Sequence, residues 1–297
     1  MKRHRLEPVV FNTINIGLLL ILSVIMLYPM LNTLALSFND GKDAVKGGIG
    51  IFPRIFSTDA YRVVFNQDAL SRAFFVSALR VVVQVVLNLF FTAMLAYAIS
   101  RKEYIWAKPI TVIFVLTMYF NAGLIPNYML IKDLHMIGTF QVYWVPSIIS
   151  AFNLIVMRTQ IKALPESLME SARIDGAGDF RIFFQIVLPL IVPVLATIAL
   201  FVAVGTWNAW FDTLLYNNQG IKWTVVQYEL QKLLASAMST LSSYGTPGEA
   251  GAGLGPSVTP TTLRAAITIA TTVPILIVYP FLQRYFVTGL TIGGVKE

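Results

Sequence analysis

Glu170-Ser171-Ala172-Arg173-Ile174-Asp175-Gly176, followed after nine residues by Ile186-Val187-Leu188-Pro189, is a short polar interruption in an otherwise largely apolar chain. Pro165, just upstream, suits a first helical turn, where a missing N–H costs nothing, and Glu166 and Glu170 put negative charge near that helix's N-terminal end. The pattern predicts a helix over about 165 to 175, on which Leu164, Leu168, Ala172 and Asp175 form a narrow stripe able to face a partner. Gly176 and Gly178 let the chain turn sharply, and Asp179 is placed to cap a second helix carrying Phe180, Phe183 and Phe184. Two short helices joined by a glycine turn make a compact knob. Pro189 and Pro193 open the next apolar run, where proline stiffens a first turn and kinks a helix deeper in.

Working outward, 56% of the 297 residues are hydrophobic and only 12% charged, with a mean hydropathy of +0.70. A water-soluble domain of that composition would expose large apolar patches, so most of the chain has lipid as its solvent. A helical span needs roughly 20 apolar residues, and six stretches qualify, at 11–37, 73–99, 107–130, 140–160, 186–210 and 264–286. The expected fold is therefore an all-α integral membrane protein of six transmembrane helices, with the knob between spans four and five. The first run follows Met1-Lys2-Arg3-His4-Arg5, but it is too long for a secretory leader and lacks a small-residue cleavage site, which favours an uncleaved span.

Several chemistries are excluded at once. The chain has no cysteine and two histidines, His4 and His135, which leaves no disulfide, thiolate or histidine-rich metal centre. No G-x-x-x-x-G-K-[ST] occurs, and the glycine-rich run from Gly245 to Pro256 lacks lysine, so it reads as a flexible external loop and not a phosphate cradle. Any ATP must be hydrolysed by a partner. The net charge of +7 is not arranged as a basic run interleaved with aromatics, so no nucleic acid is expected. Instead, Lys and Arg crowd the N-terminus, the turn at 100–108, the loop at 158–185 and the C-terminal end, which places these segments and both termini in the cytoplasm.

Polar residues within the spans are the second set of candidates. Arg80, Gln84 and Asn88 recur every four residues on one face of span two. They either line a polar path through the membrane or make inter-helix hydrogen bonds, with Arg80 snorkelling to the surface. Asn121, beside Gly123 and Pro126, marks a break in span three, tolerated at depth where it faces protein or a wet cavity. Trp207, Asn208 and Trp210 near the outer end of span five could stack on a ring-shaped ligand or close a gate, and interfacial aromatics are also plain anchors.

The spacing of the opening stretch resembles the coupling loop of ABC importer permeases, Glu-Ala-Ala, three residues, Gly, nine residues, Ile-x-Leu-Pro, with Ser171 in place of one Ala. The continuation from Arg173 to Ala177, Ala96-Tyr97-Ala98, Trp207-Asn208 and the stretch from Gly289 to Lys296 are similar to the carbohydrate-uptake, maltose-type branch of that family. Gly123 to Tyr128 and Leu154 to Arg158 resemble the narrower LplC/YtcP-like group associated with complex oligosaccharides. The resemblance implies a type I permease with a cytoplasmic N-terminus at 1–10, a transmembrane domain at 11–288 with external loops at about 38–72 and 211–263, and a cytoplasmic tail at 289–297. It implies a bacterial cytoplasmic (inner) membrane location and, as partners, a second permease, a pair of cytoplasmic ATPases and an extracellular or periplasmic sugar-binding protein. The chain itself would bind no cofactor and catalyse nothing, ATP and Mg residing on the ATPase. Coupling would rest on Glu170, Ser171, Ala172, Asp175, Gly176, Ile186, Leu188 and Pro189. A secondary carrier is the alternative, but it calls for paired ionisable residues at membrane depth or inverted repeats, and neither is evident. An intramembrane enzyme would need a Ser/His or paired-Asp arrangement, which the spans lack.

Overall fold

The computed structural model describes residues 6–66, 68–218, 220, 222–242 and 257–292. Among them every regular element is helical, with a single isolated bridge between Asn39 and Phe56. The chain divides into two units, one of residues 1–71 and 230–273, the other of residues 72–229 and 274–297.

In the first unit, α1 (Leu6–Ser37) carries a 28-residue apolar run from Val10 to Ser37, none of whose most apolar window is buried by the chain. At 1.5 Å per residue this exceeds the roughly 30 Å hydrocarbon core. Buried polar groups organise the segment between α1 and α3. The Asp40 carboxylate accepts from the amides of Lys42 and Asp43 and caps the short α2 (Gly41–Ala44). Asn39, 2% exposed, accepts from the amides of Arg54 and Ile55 and donates to Asp43. Arg54 in turn donates to the Asp43 carboxylate at 2.9 Å. After α3 (Asp59–Asn66), Ser257 donates to Asp59 at 2.6 Å, and the Ser257 carbonyl accepts from the amide of Gly41. A Cβ on Gly41 would lie 2.7 Å from that carbonyl and from the amide of Thr259, so only glycine fits.

The second unit is built on α4 (Asp68–Ser100), a 33-residue helix. Its Ala93 and Ala96 are fully buried and let α7 (Ala151–Lys162) approach through Leu154, Met157 and Ile161. Before α7 come α5 (Ala107–Tyr119) and α6 (Leu124–Asp133), and after it α8 (Glu166–Ile174) and α9 (Asp179–Ile182). A π-turn at Phe183–Val187 leads into α10 (Leu188–Leu190) and α11 (Val192–Asn208). The helices on either side of Ile191 are bent by 77°. Then come α12 (Phe211–Tyr216), α13 (Val226–Ser242) and α14 (Pro260–Ile292).

The described residues contain three helices long and apolar enough to cross a membrane, or four counting the bent pair. Two of the expected spans are interrupted, the third where Asn121 and Gly123 mark a break. The stretch 107–130 is divided at 120–123, because the Asn121 side chain accepts from the amide of Gly123, whose φ is +89°. The stretch 140–160 is α-helical only from Ala151, since Pro146 drives Val145 away from helical backbone. Helix α14 runs to Ile292, beyond the expected boundary at 288. The glycine-rich run at 245–256, the first five residues and the tail from 293 lie outside the described residues.

Candidate functional site

Helix α8 begins directly after Pro165 and ends in a glycine turn. Gly176 has φ +80°, its amide donates to the carbonyl of Arg173, and the Ala177 amide reaches back to the carbonyl of Ala172. That pair of bonds is a Schellman closure, which satisfies the last carbonyls of the helix. The face turned to the core is set by Met169, with Leu164 and Ala172 packed beside it. Of the expected partner-facing stripe, Leu168 and Asp175 are exposed and Leu164 and Ala172 half-buried. Glu170, Ser171 and Ile174 are exposed as well. Ile174 is 86% and Phe180 75% exposed, two apolar side chains presented to solution within a well-packed knob.

Asp179 is the first residue of α9, whose N-cap is Gly178, so the expected cap by Asp179 does not form. Its carboxylate instead meets the Tyr97 hydroxyl and the Arg173 guanidinium, each at 3.4 Å. Phe183 is buried against Tyr97, with ring centroids 5.3 Å apart, whereas Phe184 stays exposed. Ile186 and Leu188 pack against the same core, and exposed Pro189 lies just ahead of the 77° bend.

The knob is braced to the end of α4. Lys102 pairs with Glu166 at 2.5 Å and Arg173 with Glu103 at 2.9 Å, while on α7, outside the knob, Arg158 donates to the carbonyl of Ile99 at 3.1 Å. The Glu103 carboxyl is held below its usual range first by its own backbone amide and then by Arg173. Exposed pairs of this kind are screened by solvent and add little to stability, so they orient the knob more than they stabilise it.

Higher on α4, Arg80, Gln84 and Asn88 are all buried, at 4% exposure or less. Arg80 does not snorkel. Its guanidinium forks onto both carboxylate oxygens of Asp212, donates to the carbonyl of Ala209, and lies 4.3 Å from the Tyr143 ring centre. Gln84 and Asn88 donate to the carbonyl of Ser147, Asn88 also to that of Ile148, and Asn153 donates to Asn88. These amides pair with the irregular backbone that precedes α7 and hold it against α4. Asp212 was absent from the sequence candidates. The signal available for it was its position as an acidic residue just beyond span five, available to neutralise a buried arginine.

The three residues at the end of α11 are not brought together as one platform. Trp207 is buried beside Ala73 and Val226 and lines an apolar cavity of about 230 Å³ with residues of α4 and α14. Asn208 donates to the carbonyl of Val204 and accepts from Gln227, and Trp210 is edge-on to Phe211. Asn121 is exposed at the break it creates. Among the described residues no group of three or more His, Cys, Asp or Glu side chains could hold a metal ion.

Comparison with known proteins extends over nearly the whole chain. Residues 10–292 match the family described as binding-protein-dependent transport system inner membrane component. The chain is 35% identical over 286 residues to the polygalacturonan/rhamnogalacturonan transport system permease protein YtcP of Bacillus subtilis (strain 168), covering 96% of this chain and 98% of that one. It is also 35% identical to protein LplC of the same organism, over 97% of this chain and 95% of the relative. Among solved structures it is similar to a chain of a bacterial ABC transporter involved in import of the acidic polysaccharide alginate, with a TM-score of 0.83, 30% identity, and 93% and 96% of the two chains covered.

Proposed function

We propose, from the premise that this chain belongs to the family of binding-protein-dependent transport system inner membrane components, that it carries an oligosaccharide across a bacterial cytoplasmic membrane as one of two paired permeases. The chain is a membrane-embedded permease subunit of an ABC importer and not an enzyme, and such a system works with a binding protein. The finer reading assigns α8 and α9 to a cytoplasmic ATPase, which binds ATP and Mg. A single observation carries it: Ile174 and Phe180 stand exposed on a knob whose base, Met169, Ile182 and Phe183, is buried in the core that also holds α11. Displacing such a knob moves a packed body instead of a loop, as a two-state lever requires. The density of Lys and Arg supports a cytoplasmic position for both termini and for this knob.

Substrate class is taken from the relatives, whose names cite polygalacturonan, rhamnogalacturonan and alginate. The test is uptake of a panel of oligogalacturonide, rhamnogalacturonan, arabino- and galacto-oligosaccharides by cells lacking and then regaining the chain, with co-purification on a tagged copy. Restored uptake of one class, with a second permease and an ATPase recovered, is the expected result. Uptake of a sugar by the purified chain alone, driven by an ion gradient, would replace this reading with that of a secondary carrier.

A further inference from the structure

Between α6, the irregular segment ahead of α7 and α12 lies a cavity of about 410 Å³. Apolar Leu130 and Leu134 share its lining with Asn127, Ser147, Asp212 and Tyr216. Several of these polar groups have capacity to spare. The Asn127 side-chain carboxamide and the Tyr216 hydroxyl have no hydrogen-bond partner among the described residues. The Ser147 hydroxyl accepts from Gln84 and keeps its own proton to donate. Asp212 accepts from Arg80 and from the amide of Thr213, which leaves part of its roughly four lone-pair sites open. Tyr216 is stacked nearly parallel on Tyr128, ring centres 5.9 Å apart, a flat aromatic pair at the cavity.

Spare donors and acceptors, an aromatic surface and an apolar wall are what a sugar ring requires, because its hydroxyls alternate with C–H faces. Charge narrows the class further. No Lys or Arg lines the cavity, and the nearest guanidinium, Arg80, is already forked onto Asp212. A uronate carboxylate would enter beside an acidic group without a free cation, which disfavours it. We propose that this cavity is a subsite for one uncharged sugar unit of the transported oligosaccharide, a reading that rests on the proposed oligosaccharide transport.

The natural absence of cysteine makes the test direct. Asn127→Cys and Tyr216→Cys, with Ile105→Cys as a control exposed in the turn before α5, are labelled with a maleimide in the complete complex in nanodiscs. The probes are arabinotriose, galactotriose and trigalacturonate, each also followed by cellular uptake. At five times its half-saturating concentration, an occupying sugar slows labelling about sixfold by mass action. That slowing is expected at both cavity positions and not at Ile105→Cys, for a neutral trisaccharide the wild type imports. A second variant, Tyr216→Phe, keeps the stack and is expected to raise the half-saturating concentration for uptake at unchanged complex yield. Unprotected labelling in the presence of an imported neutral sugar overturns the subsite and leaves the transport function standing. Equal protection by trigalacturonate overturns the preference for an uncharged unit, and failure to import any probe overturns the transport reading together with the subsite.

Discussion

Gly176 is constrained by its own backbone and by nothing around it. Its φ of +80° lies in the left-handed region, while a Cβ there would meet no atom within 4 Å. Gly176→Val therefore introduces strain of about 1–2 kcal/mol without a clash, concentrated in the turn that joins α8 to α9. We expect normal amounts of the variant in membranes, weaker recovery of ATPase on a tagged copy and slower uptake. Wild-type values for all three would show that the turn's geometry is not transmitted. Gly41 is the opposite case, since its substitution meets the backbone at Ser257 and Thr259 directly. Of the two, the sequence makes only the first legible, because Gly176 follows an amphipathic helix at a C-cap spacing. The contact at Gly41 joins residues more than two hundred positions apart and leaves no local trace.

At the scale of elements, α8 separates packing from recognition on its two sides. Met169→Ala should destabilise the purified complex by about 2 kcal/mol, toward the lower end for buried apolar truncations, read as a lower thermal midpoint. Ile174→Ser should leave that midpoint within about 0.5 kcal/mol of wild type, as exposed substitutions do, yet reduce the ATPase recovered with the chain. The reverse pattern would exchange the two faces. Gln84→Leu removes one of two side-chain donors to the Ser147 carbonyl, which keeps Asn88, and should cost only about 0.5–1.5 kcal/mol, the net worth of one hydrogen bond, again seen in the thermal midpoint. Helix boundaries around the knob were legible from Pro165 and Gly176, and the break in the third span from Asn121 and Gly123. The non-helical start of the fourth span was not, apart from Pro146, since the amides that make it tolerable sit about sixty residues upstream on α4. The buried side of α8 was not legible, because Leu168, Met169, Ala172 and Ile174 offer more than one apolar stripe and only packing chooses between them.

For the molecule as a whole, the first unit contributes an acid-sensitive feature. The Asp43 carboxyl is held below its ordinary value mainly by the Asn39 amide, with Arg54 and Lys46 adding to it, and Asp59 is lowered by the hydroxyls of Ser257 and Ser57. A carboxylate whose folded pKa is depressed contributes stability that is complete above its unfolded value of about 3.9 and disappears as pH falls through the lower folded value. Hydrogen exchange of residues 38–66, corrected for its intrinsic pH dependence, should thus be constant from about pH 7 to pH 5 and accelerate below about pH 4. Asp43→Asn should reduce that acid response; the same acceleration in this variant would assign it elsewhere. The second unit carries a different kind of constraint in the π-turn at Phe183–Val187, which joins the knob to α10 and the bent helix α11. One residue corresponds to about 100° of helical rotation, so the turn acts as a phase setting between the surface bearing Ile174 and Phe180 and the helix it drives. A change in length there, by a single residue, would leave most contacts chemically available but point them along the wrong azimuth, so this short segment is held in number as well as in its buried side chains Phe183 and Val187.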